Sequence, residues 1–357
     1  MARTVSIKEF LDLGKNLPIL DVRTPAEFSQ GHIPGASNLP LFSNEERVEI
    51  GTIYVRQGRE NAMKRGLEIV GPKMRGLVEA GEKAAKNGSV LLHCWRGGMR
   101  SGAVSWLLSF YGLTVITLEK GYKAFRTHVL ADIFQRKRRY LILGGRTGTG
   151  KTATLNELTH RGERVVDLEE IAHHRGSSFG MIGMPSPPTQ EQFENNLALQ
   201  LDMFDYPSGR NSAFCEEPIW LESESRKIGQ KVLPLEVFRA IQSSPAVILD
   251  ADRSSRIRYL TEMYGSYPGK ELAGAIQRLS KRLGGEATKR ALEAIENDNP
   301  AAACEIVLGY YDSTYDYSLS FREEQKTFHL ETDPCHPETI AENILRLKAR
   351  GEEKIWN

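Results

Sequence analysis

Residues 140–152 read YLILGGRTGTGKT, a stretch that contains the pattern G-x-x-x-x-G-K-[ST] directly after an apolar run. Glycines in such a turn let backbone N–H groups approach phosphate oxygens, and the lysine neutralises a terminal phosphate. The pattern therefore predicts a strand over 140–143, then a phosphate-binding loop, then a helix. The threonine hydroxyl would bind Mg²⁺ if the site uses a metal. The predicted phosphate-binding residues are Gly145, Arg146, Thr147, Gly148, Thr149, Gly150, Lys151 and Thr152.

A second glycine-containing loop follows another apolar run at residues 90–101, which read VLLHCWRGGMRS. Its glycines allow successive backbone N–H groups to point inward and form an anion-binding concavity, and the start of a helix adds partial positive charge. Such surroundings favour the thiolate, which is the nucleophilic form of cysteine. We therefore predict that the catalytic residues are Cys94, Arg96 and Arg100. The rest of the predicted anion-binding loop consists of Trp95, Gly97, Gly98, Met99 and Ser101.

The two loops divide the 357 residues into two predicted domains, 1–132 and 133–357. A basic run, QRKRR at 135–139, lies between them, and we interpret it as a surface linker or helix end because like charges do not enter a core. Short apolar strands alternate with amphipathic helical stretches in both parts, which predicts an α/β fold with a doubly wound parallel sheet. The predicted strands are 18–23, 89–93, 115–118, 140–143, 164–168, 219–222, 246–249 and 327–330, and the predicted helices include 102–110, 190–204 and 272–283.

The composition is that of an ordinary globular protein, with 40% hydrophobic and 26% charged residues and a net charge of +1. Four cysteines without paired C-x-x-C spacing favour neither a disulfide framework nor a structural zinc site. No apolar run approaches the roughly 20 residues that cross a bilayer, and no apolar leader follows Met1. We therefore expect a cytoplasmic protein that does not associate with membranes.

Acidic residues follow three of the predicted strands and are candidate metal ligands. They are Asp167 and Glu169, Glu222 and Glu224, and Asp250 and Asp252. The ligand crevice of a doubly wound sheet lies beyond the carboxyl ends of its strands, so any pair could face it. Which pair would hold a metal is left open by the sequence.

Polar segments after two of these strands are predicted to contact the substrate. The first is the glycine-punctuated stretch HHRGSSFG at 173–180, and the second is the strand-to-helix junction at 220–229. The predicted substrate-loop residues are His174, Arg175, Ser177, Ser178, Phe179, Glu222, Glu224, Ser225 and Arg226.

The N-terminal part resembles the rhodanese superfamily. The resemblance rests on DVRTPAEF at 21–28, GHIPGA at 31–36 and the cysteine loop. In that superfamily the cysteine carries a transferable sulfur or a related chalcogen. The loop between Cys94 and Arg100 is one residue longer than in the usual sulfurtransferase, and phosphatases of the same fold use this longer loop for phosphate. We therefore expect a phosphate-like donor here rather than thiosulfate.

The chain as a whole resembles the bacterial tRNA 2-selenouridine synthases, which join a rhodanese domain to a P-loop domain. The segments that carry the resemblance are 93–101, 145–152, 174–180, 222–229 and 310–312. It implies that the loop at Cys94 binds selenophosphate, and that selenium replaces the sulfur of wobble 2-thiouridine in tRNA through an S-geranyl intermediate made from geranyl diphosphate. It implies no tightly bound cofactor, leaves Mg²⁺ open, and adds an enzyme that supplies selenophosphate as a candidate partner.

The resemblance also implies surfaces for the substrates. A tRNA needs basic residues that contact phosphates in a salt-sensitive way. The candidates are Arg136, Lys137, Arg138, Arg253, Arg256, Arg278 and Arg282. The apolar candidates for a geranyl pocket are Phe179, Met181, Ile182, Met184 and Phe193.

Two other functions remain open at this point. The first is an ATP-dependent tRNA sulfurtransferase, which would turn over nucleotide and transfer sulfide. The second is a non-catalytic, nucleotide-regulated sensor with a rhodanese-like domain, whose function would survive the substitution Cys94→Ala.

Overall fold

The structure, a computed structural model, describes residues 3–206 and 215–349. The chain forms two compact units. Unit 1 contains Met1–Arg136 and Thr189–Cys215, and unit 2 contains Lys137–Pro188 and Glu216–Asn357. The change between units thus falls four residues after the predicted boundary. The described residues 189–206 belong to unit 1, although they lie within the predicted second domain.

Unit 1 is a five-stranded sheet with helices around it. Its strands are β1 (Arg3–Val5), β2 (Ile19–Asp21), β3 (Ser37–Asn38), β4 (Ser89–His93) and β5 (Thr114–Leu118). Its helices, numbered along the whole chain, are α1 (Ile7–Gly14), α2 (Pro25–Gln30), α3 (Asn44–Gln57), α4 (Arg59–Val70), α5 (Met74–Ala84), α6 (Met99–Tyr111), α7 (Gly121–Ala131) and α10 (Gln190–Asp205). The strand order is β1-β5-β4-β2-β3, and every pair is parallel.

The cysteine loop of unit 1 lies at the carboxyl end of the central strand β4. Leu91 and Leu92 in this strand are fully buried, because both faces of a parallel sheet are covered by helices. The following helix α6 starts at Met99, three residues earlier than predicted, and Gly98 precedes it. The loop is therefore fixed between a buried strand and a helix N-terminus.

Helix α10 joins unit 1 because one face of it is apolar. Phe193, Leu197, Ala198 and Leu201 are fully buried. Asn195 donates a hydrogen bond of 2.8 Å to the Tyr122 hydroxyl of α7. Periodicity alone identifies a helix here, but it does not reveal which unit the apolar face covers, and this explains the difference from the predicted domain range.

Unit 2 contains a second five-stranded sheet and a small hairpin. Its strands are β6 (Tyr140–Gly145), β7 (Val165–Val166), β8 (Ile219–Glu222), β9 (Lys227–Ile228), β10 (Lys231–Val232), β11 (Ala246–Asp250) and β12 (Thr327–Glu331). Its helices are α8 (Lys151–His160), α9 (Leu168–Ala172), α11 (Leu235–Ser243), α12 (Arg253–Tyr264), α13 (Gly269–Leu283), α14 (Gly285–Glu296), α15 (Pro300–Leu319) and α16 (Pro337–Ala349). The sheet order is β12-β11-β6-β8-β7, all parallel, while β9 and β10 pair antiparallel.

The predicted α/β class is confirmed, and all eight predicted strands are present in the structure. Four further strands, β1, β3, β9 and β10, were not predicted, because each is only two or three residues long and too short to show an apolar pattern. Among the residues that the structure describes, no helix is long and apolar enough to cross a membrane.

Candidate active sites

The Cys94 side chain lies at the bottom of the anion-binding loop of unit 1. It is 3% exposed, and its Sγ atom is 3.2 Å from the Ser101 hydroxyl oxygen. Gly97 has φ +66°, and a Cβ atom there would come within 3.0 Å of backbone atoms of Leu118 and Lys120. Only glycine fits this position, so the turn that curls the loop around the sulfur depends on it.

The surroundings of Cys94 lower the pKa of its thiol. Burial alone raises this pKa, but hydrogen bonds from the Ser101 side chain and from the backbone near Ser101, Arg96 and Gly98 stabilise the thiolate and outweigh it. The predicted inward-pointing amides are thus present in the structure around the sulfur. The arrangement favours a nucleophilic thiolate beside a concavity for an anion.

Arg100 is held next to the sulfur by a carboxylate that the sequence analysis did not select. Its Nη1 and Nη2 atoms donate to Glu27 at 2.6 and 3.1 Å. Glu27 also accepts from the Thr24 backbone N–H and so belongs to the capping box of α2. The capping box is visible in the sequence and accounts for Glu27 as a helix cap. The sequence does not show that Glu27 also pairs with Arg100.

The cysteine loop opens onto a cleft of about 720 Å³. Its lining includes Cys94, Trp95, Arg96, Gly98, Met99 and Arg100. Arg96 is exposed, in contrast to the paired Arg100. A tetrahedral anion above the sulfur would therefore meet the fixed charge of Arg100 and the more adaptable charge of Arg96.

A buried ion pair supports the loop from below. Arg23 and Asp21 are both fully buried and form a bidentate pair, with Nη2 to Oδ2 at 2.6 Å. The Arg23 guanidinium also stacks on the ring of Tyr122, 3.8 Å from the ring centroid. Tyr122 donates to Glu191 of α10 at 2.7 Å. The inserted helix α10 therefore contributes polar contacts to the layer on which the cysteine loop rests.

The phosphate-binding loop of unit 2 joins β6 to α8, as predicted. Gly145, Gly148 and Gly150 have positive φ angles, a conformation that L side chains rarely adopt. The Lys151 ammonium donates to the Gly145 carbonyl oxygen at 3.0 Å and lies 3.5 Å from Glu222. Burial lowers the pKa of Lys151, but the negative charge of Glu222 outweighs this effect, and the pKa is raised overall. The lysine therefore stays charged inside the fold.

Residues of α15 hold this loop in place. The Tyr315 hydroxyl accepts from the Gly145 backbone N–H at 2.6 Å. Arg146 forms a bidentate pair with Asp316 at 2.9 and 3.0 Å. The sequence analysis did not select Tyr315 or Asp316, because nothing in the sequence places a helix 170 residues downstream next to the loop.

Three glutamates form the acidic cluster of this site. Glu169, Glu222 and Glu224 each offer one oxygen, and these oxygens lie within 4.8 Å of one another. The Thr152 hydroxyl donates to Glu169 at 3.1 Å. Of the three acidic pairs that the sequence left open, the structure thus joins Glu169, which follows β7, with Glu222 and Glu224 at the end of the neighbouring strand β8.

The three carboxyl groups of the acidic cluster ionise less readily than ordinary glutamates. Burial raises the pKa of Glu169 to about 10, with a further contribution from the charges of Glu222 and Glu224, and raises that of Glu224 to about 8. Burial also raises the pKa of Glu222, against the charge of Lys151. The Oε2 atom of Glu222 is buried and has no hydrogen-bond partner among the described residues. Carboxylate and hydroxyl oxygens are ligands that Mg²⁺ prefers, so these residues fit a hard divalent cation.

The predicted substrate loop lies against the acidic cluster. A Cβ atom on Gly176 would come within 3.2 Å of both carboxylate oxygens of Glu224. Ser178 donates its backbone N–H to the Tyr311 hydroxyl at 3.0 Å, and the ring of His174 packs on Gly229 so closely that a Cβ there would come within 2.4 Å.

The other predicted substrate-loop residues of unit 2 lie in two places. Arg175 points its guanidinium toward the Tyr264 ring, 5.9 Å from the centroid, and Ser177 and Phe179 line a cavity beside the loop. Ser225 and Arg226 are exposed, and Ser225 bonds locally to the Lys227 carbonyl oxygen. The backbone of Ser225 thus contacts Glu224 of the acidic cluster, while its side chain bonds elsewhere.

Two of the predicted tRNA-binding residues are structural. Arg256 is 3% exposed and pairs with Asp312 at 2.7 and 2.8 Å, and it also donates to the Thr147 carbonyl oxygen. Arg136 pairs with Asp132, Asp202 and Asp205, and its side chain is 12% exposed. A guanidinium that is buried in carboxylate pairs is not available to a phosphate, so the prediction for these two residues is corrected.

The remaining basic candidates lie at or near the surface. Lys137, Arg253, Arg278 and Arg282 are exposed, and Arg138 is half-buried. Arg278 donates to the Ser178 carbonyl oxygen at 2.9 Å, so it also tethers the substrate loop.

Comparison with known proteins identifies the family. A family model described as the tRNA 2-selenouridine synthase AAA domain matches residues 138–341, and a rhodanese-like domain model matches residues 6–128. The chain belongs to the tRNA 2-selenouridine synthase family. Members of this family are tRNA-modifying transferases, so the chain is an enzyme whose substrate is tRNA.

Relatives match the chain over most of its length. The tRNA 2-selenouridine synthase of Hydrogenovibrio crunogenus is 34% identical, and the match covers 87% of this chain and 91% of the relative. That of Marinobacter nauticus is 32% identical, with 90% and 94% covered. That of Pseudomonas syringae pv. syringae is 33% identical, with 95% and 96% covered. The match spans both units, so the two candidate sites belong to one family architecture.

Proposed function

We propose that the enzyme converts wobble 2-thiouridine in tRNA to 2-selenouridine in two steps, with geranyl diphosphate and selenophosphate as co-substrates. One observation supports the proposal: the chain has a cysteine with a lowered thiol pKa in an anion-binding loop and, separately, a lysine-containing phosphate loop beside three carboxyl groups. The first site suits a nucleophile acting on a tetrahedral anion, and the second suits a diphosphate that leaves.

The first step is assigned to unit 2. The sulfur of 2-thiouridine attacks C1 of geranyl diphosphate, a C–S bond forms, and the C–O bond to the diphosphate breaks. The base loses its N3 proton to water, and pyrophosphate leaves with the bonding electrons. Lys151 and the glycine-rich turn stabilise the charge that develops on this leaving group. Glu169, Glu222 and Glu224 with Thr152 would hold a divalent cation, which supplies further positive charge next to the diphosphate.

The second step is assigned to unit 1. The Cys94 thiolate attacks the phosphorus of selenophosphate, an S–P bond forms, the P–Se bond breaks, and hydrogen selenide leaves. The selenide adds to C2 of the S-geranyl base and expels geranyl thiolate. Water then hydrolyses the S–P bond and releases phosphate and the free thiolate. Attack on selenium instead would leave its electron pair on phosphorus and expel phosphite, and the five-residue loop suits a phosphoryl group.

The reaction is tested with purified enzyme and an RNA that carries 2-thiouridine, with nucleosides identified by mass spectrometry. Cys94→Ala should stop at S-geranyl-2-thiouridine, and Lys151→Ala should leave 2-thiouridine unchanged. Selenation by Cys94→Ala at the wild-type rate, or an absolute requirement for ATP, would contradict the proposal and favour the sensor or the sulfurtransferase, respectively. A tRNA-independent ATPase activity that Lys151→Ala abolishes would also count against it.

The role of Cys94 has a separate test. Rapid quenching with selenophosphate should add one phosphoryl group to the peptide that contains Cys94, and the released product should be phosphate. Selenium bound to this peptide, or phosphite in solution, would contradict attack at phosphorus.

The tRNA is expected to contact the exposed basic residues Lys137, Arg253, Arg278 and Arg282. Neutralising Arg278 and Arg282 should weaken tRNA binding and flatten its dependence on salt, because each phosphate contact releases counterions. Unchanged affinity and an unchanged salt slope would remove these two residues from the interface.

Selenophosphate has to be made by another enzyme, and this enzyme is the candidate protein partner.

A further inference from the structure

Unit 2 contains an apolar cavity that opens beside the phosphate-binding loop. Its walls include Thr147 of that loop, Phe179 of the substrate loop, Leu260 and Tyr264 of α12, Ile276 of α13 and Val307 of α15. The space available to the centres of water-sized molecules is about 70 Å³, enough for several waters. The cavity is therefore narrow, but a slim chain of atoms could enter it.

The cavity and the phosphate-binding loop share a wall. Gly148 of the loop touches Leu260 so closely that a Cβ atom would come within 2.8 Å of its Cδ1 atom. Thr147, the residue before it, lines the cavity directly. A ligand with its phosphates in the loop would thus lie next to this cavity.

The chemistry of the walls selects an apolar occupant. Among the described residues, no side chain of Asp, Glu, Lys, Arg or His lines the cavity. Most of the lining side chains are aliphatic or aromatic, and burial raises the pKa of the Cys304 thiol to about 11, so this thiol stays neutral. A nucleoside would leave its base and ribose polar groups unpaired in such surroundings, at a cost that a hydrocarbon avoids.

We infer that this cavity binds the hydrocarbon chain of an allylic diphosphate and that its inner wall limits the length of that chain. The inference rests on the proposed function, which supplies the diphosphate group. Of the five sequence-based candidates, Phe179 lines this cavity. Met181, Ile182 and Met184 are not among its lining residues, and Phe193 belongs to unit 1.

Two lining residues, Ala303 and Ile276, allow the cavity to be made smaller or larger. Ala303 of α15 is 3% exposed and Ile276 of α13 is 1% exposed, and both belong to one buried apolar cluster. A larger side chain at 303 would occupy the space of the chain, and a smaller one at 276 would extend it. The variants are Ala303→Phe and Ile276→Ala, and the exposed Lys281→Ala on α13 is the matched control.

The experiment measures binding by calorimetry, with pyrophosphate and with the non-reactive thiolo analogues of geranyl and farnesyl diphosphate. The wild type should bind the geranyl analogue at least tenfold more tightly than pyrophosphate. Ala303→Phe should lose this difference while its affinity for pyrophosphate stays within twofold. Ile276→Ala should bind the farnesyl analogue at least fivefold more tightly than the wild type does, and Lys281→Ala should match the wild type throughout.

Two results would overturn the inference. The first is a geranyl analogue that binds the wild type no more tightly than pyrophosphate. The second is a geranyl preference that survives Ala303→Phe together with a farnesyl affinity that Ile276→Ala leaves unchanged. If Ala303→Phe does not fold, as judged by its loss of pyrophosphate binding, the affinity of Ile276→Ala for the farnesyl analogue is the test of the inference. The wild type could instead bind the geranyl analogue tightly but fail to alkylate 2-thiouridine with geranyl diphosphate. This result would contradict the proposed function but not the inference about the cavity.

Discussion

The cysteine loop of unit 1 and the lysine loop of unit 2 each follow a central parallel strand and precede a helix, but the charges around them differ. The first contains a cysteine whose thiol pKa is lowered, and the nearby Arg100 is paired with Glu27. The second contains Lys151 and three glutamates whose pKa values are raised. The comparison shows that one local architecture can hold either a cysteine with a lowered pKa or a lysine beside three carboxyl groups.

The largest expected effect that separates the two loops comes from Glu222→Gln. The substitution removes the buried carboxylate that joins Lys151 to the acidic cluster, and we expect S-geranylation to fall by at least about a hundredfold. The selenation of an RNA that already carries S-geranyl-2-thiouridine should stay within twofold, because this step uses unit 1. Glu170→Gln is the control, since Glu170 is exposed on the short helix that also carries Glu169. Equal losses in both steps would show that the two loops do not act separately.

The next effect concerns the support of the lysine loop rather than its chemistry. Asp312→Asn breaks the pair with buried Arg256, and we expect the free energy of unfolding to fall by about 2 kcal/mol, since Asp312 is partly exposed. Asp333→Asn breaks the exposed pair with Arg258 and should cost roughly 0–1 kcal/mol. Urea unfolding of the two variants measures the difference. Equal stabilities would contradict the structural role assigned to Arg256.

How far the sequence predicts these sites depends on whether a residue is local to its motif. The strand, glycine turn and helix of both loops follow from contiguous patterns, and Cys94 and Lys151 lie where those patterns place them. Tyr315 and Asp316 come from a helix far along the chain, and Arg256 belongs to a basic cluster on α12 that the sequence presents as surface. Long-range packing decides which charged residues are buried, and no local pattern records it.

A smaller effect tests why the Cys94 thiol ionises. Ser101→Ala removes the hydroxyl 3.2 Å from Sγ, so the pKa of Cys94 should rise by roughly one pH unit. The measurement is the rate of alkylation by iodoacetamide as a function of pH. Ser105→Ala is the control, because Ser105 is buried on the same helix and has no contact with the sulfur among the described residues. An identical pH profile in both variants would exclude the hydroxyl as a source of the shift.

The smallest expected effect is the pH dependence of protein stability that arises from the acidic cluster. The pKa of Glu169 is about 10 and that of Glu224 about 8 in the folded protein, above the ordinary value of 4.5. The folded state therefore keeps protons that the unfolded state releases, and stability without a cation should fall as the pH rises from about 5 to 10. Mg²⁺ binds the ionised carboxylates, so the Tm increase that it causes should grow from pH 6 to pH 9, by a few degrees. An increase that does not depend on pH, or that persists in Glu222→Gln, would place the cation elsewhere.

The separation of the two chemical steps is tested most directly with an RNA that already contains S-geranyl-2-thiouridine. The substrate is given with selenophosphate to Lys151→Ala and to Cys94→Ala, and 2-selenouridine is measured by mass spectrometry. The account predicts that Lys151→Ala forms 2-selenouridine at close to the wild-type rate, while Cys94→Ala forms none. Loss of selenation in Lys151→Ala, or its persistence in Cys94→Ala, would contradict the account.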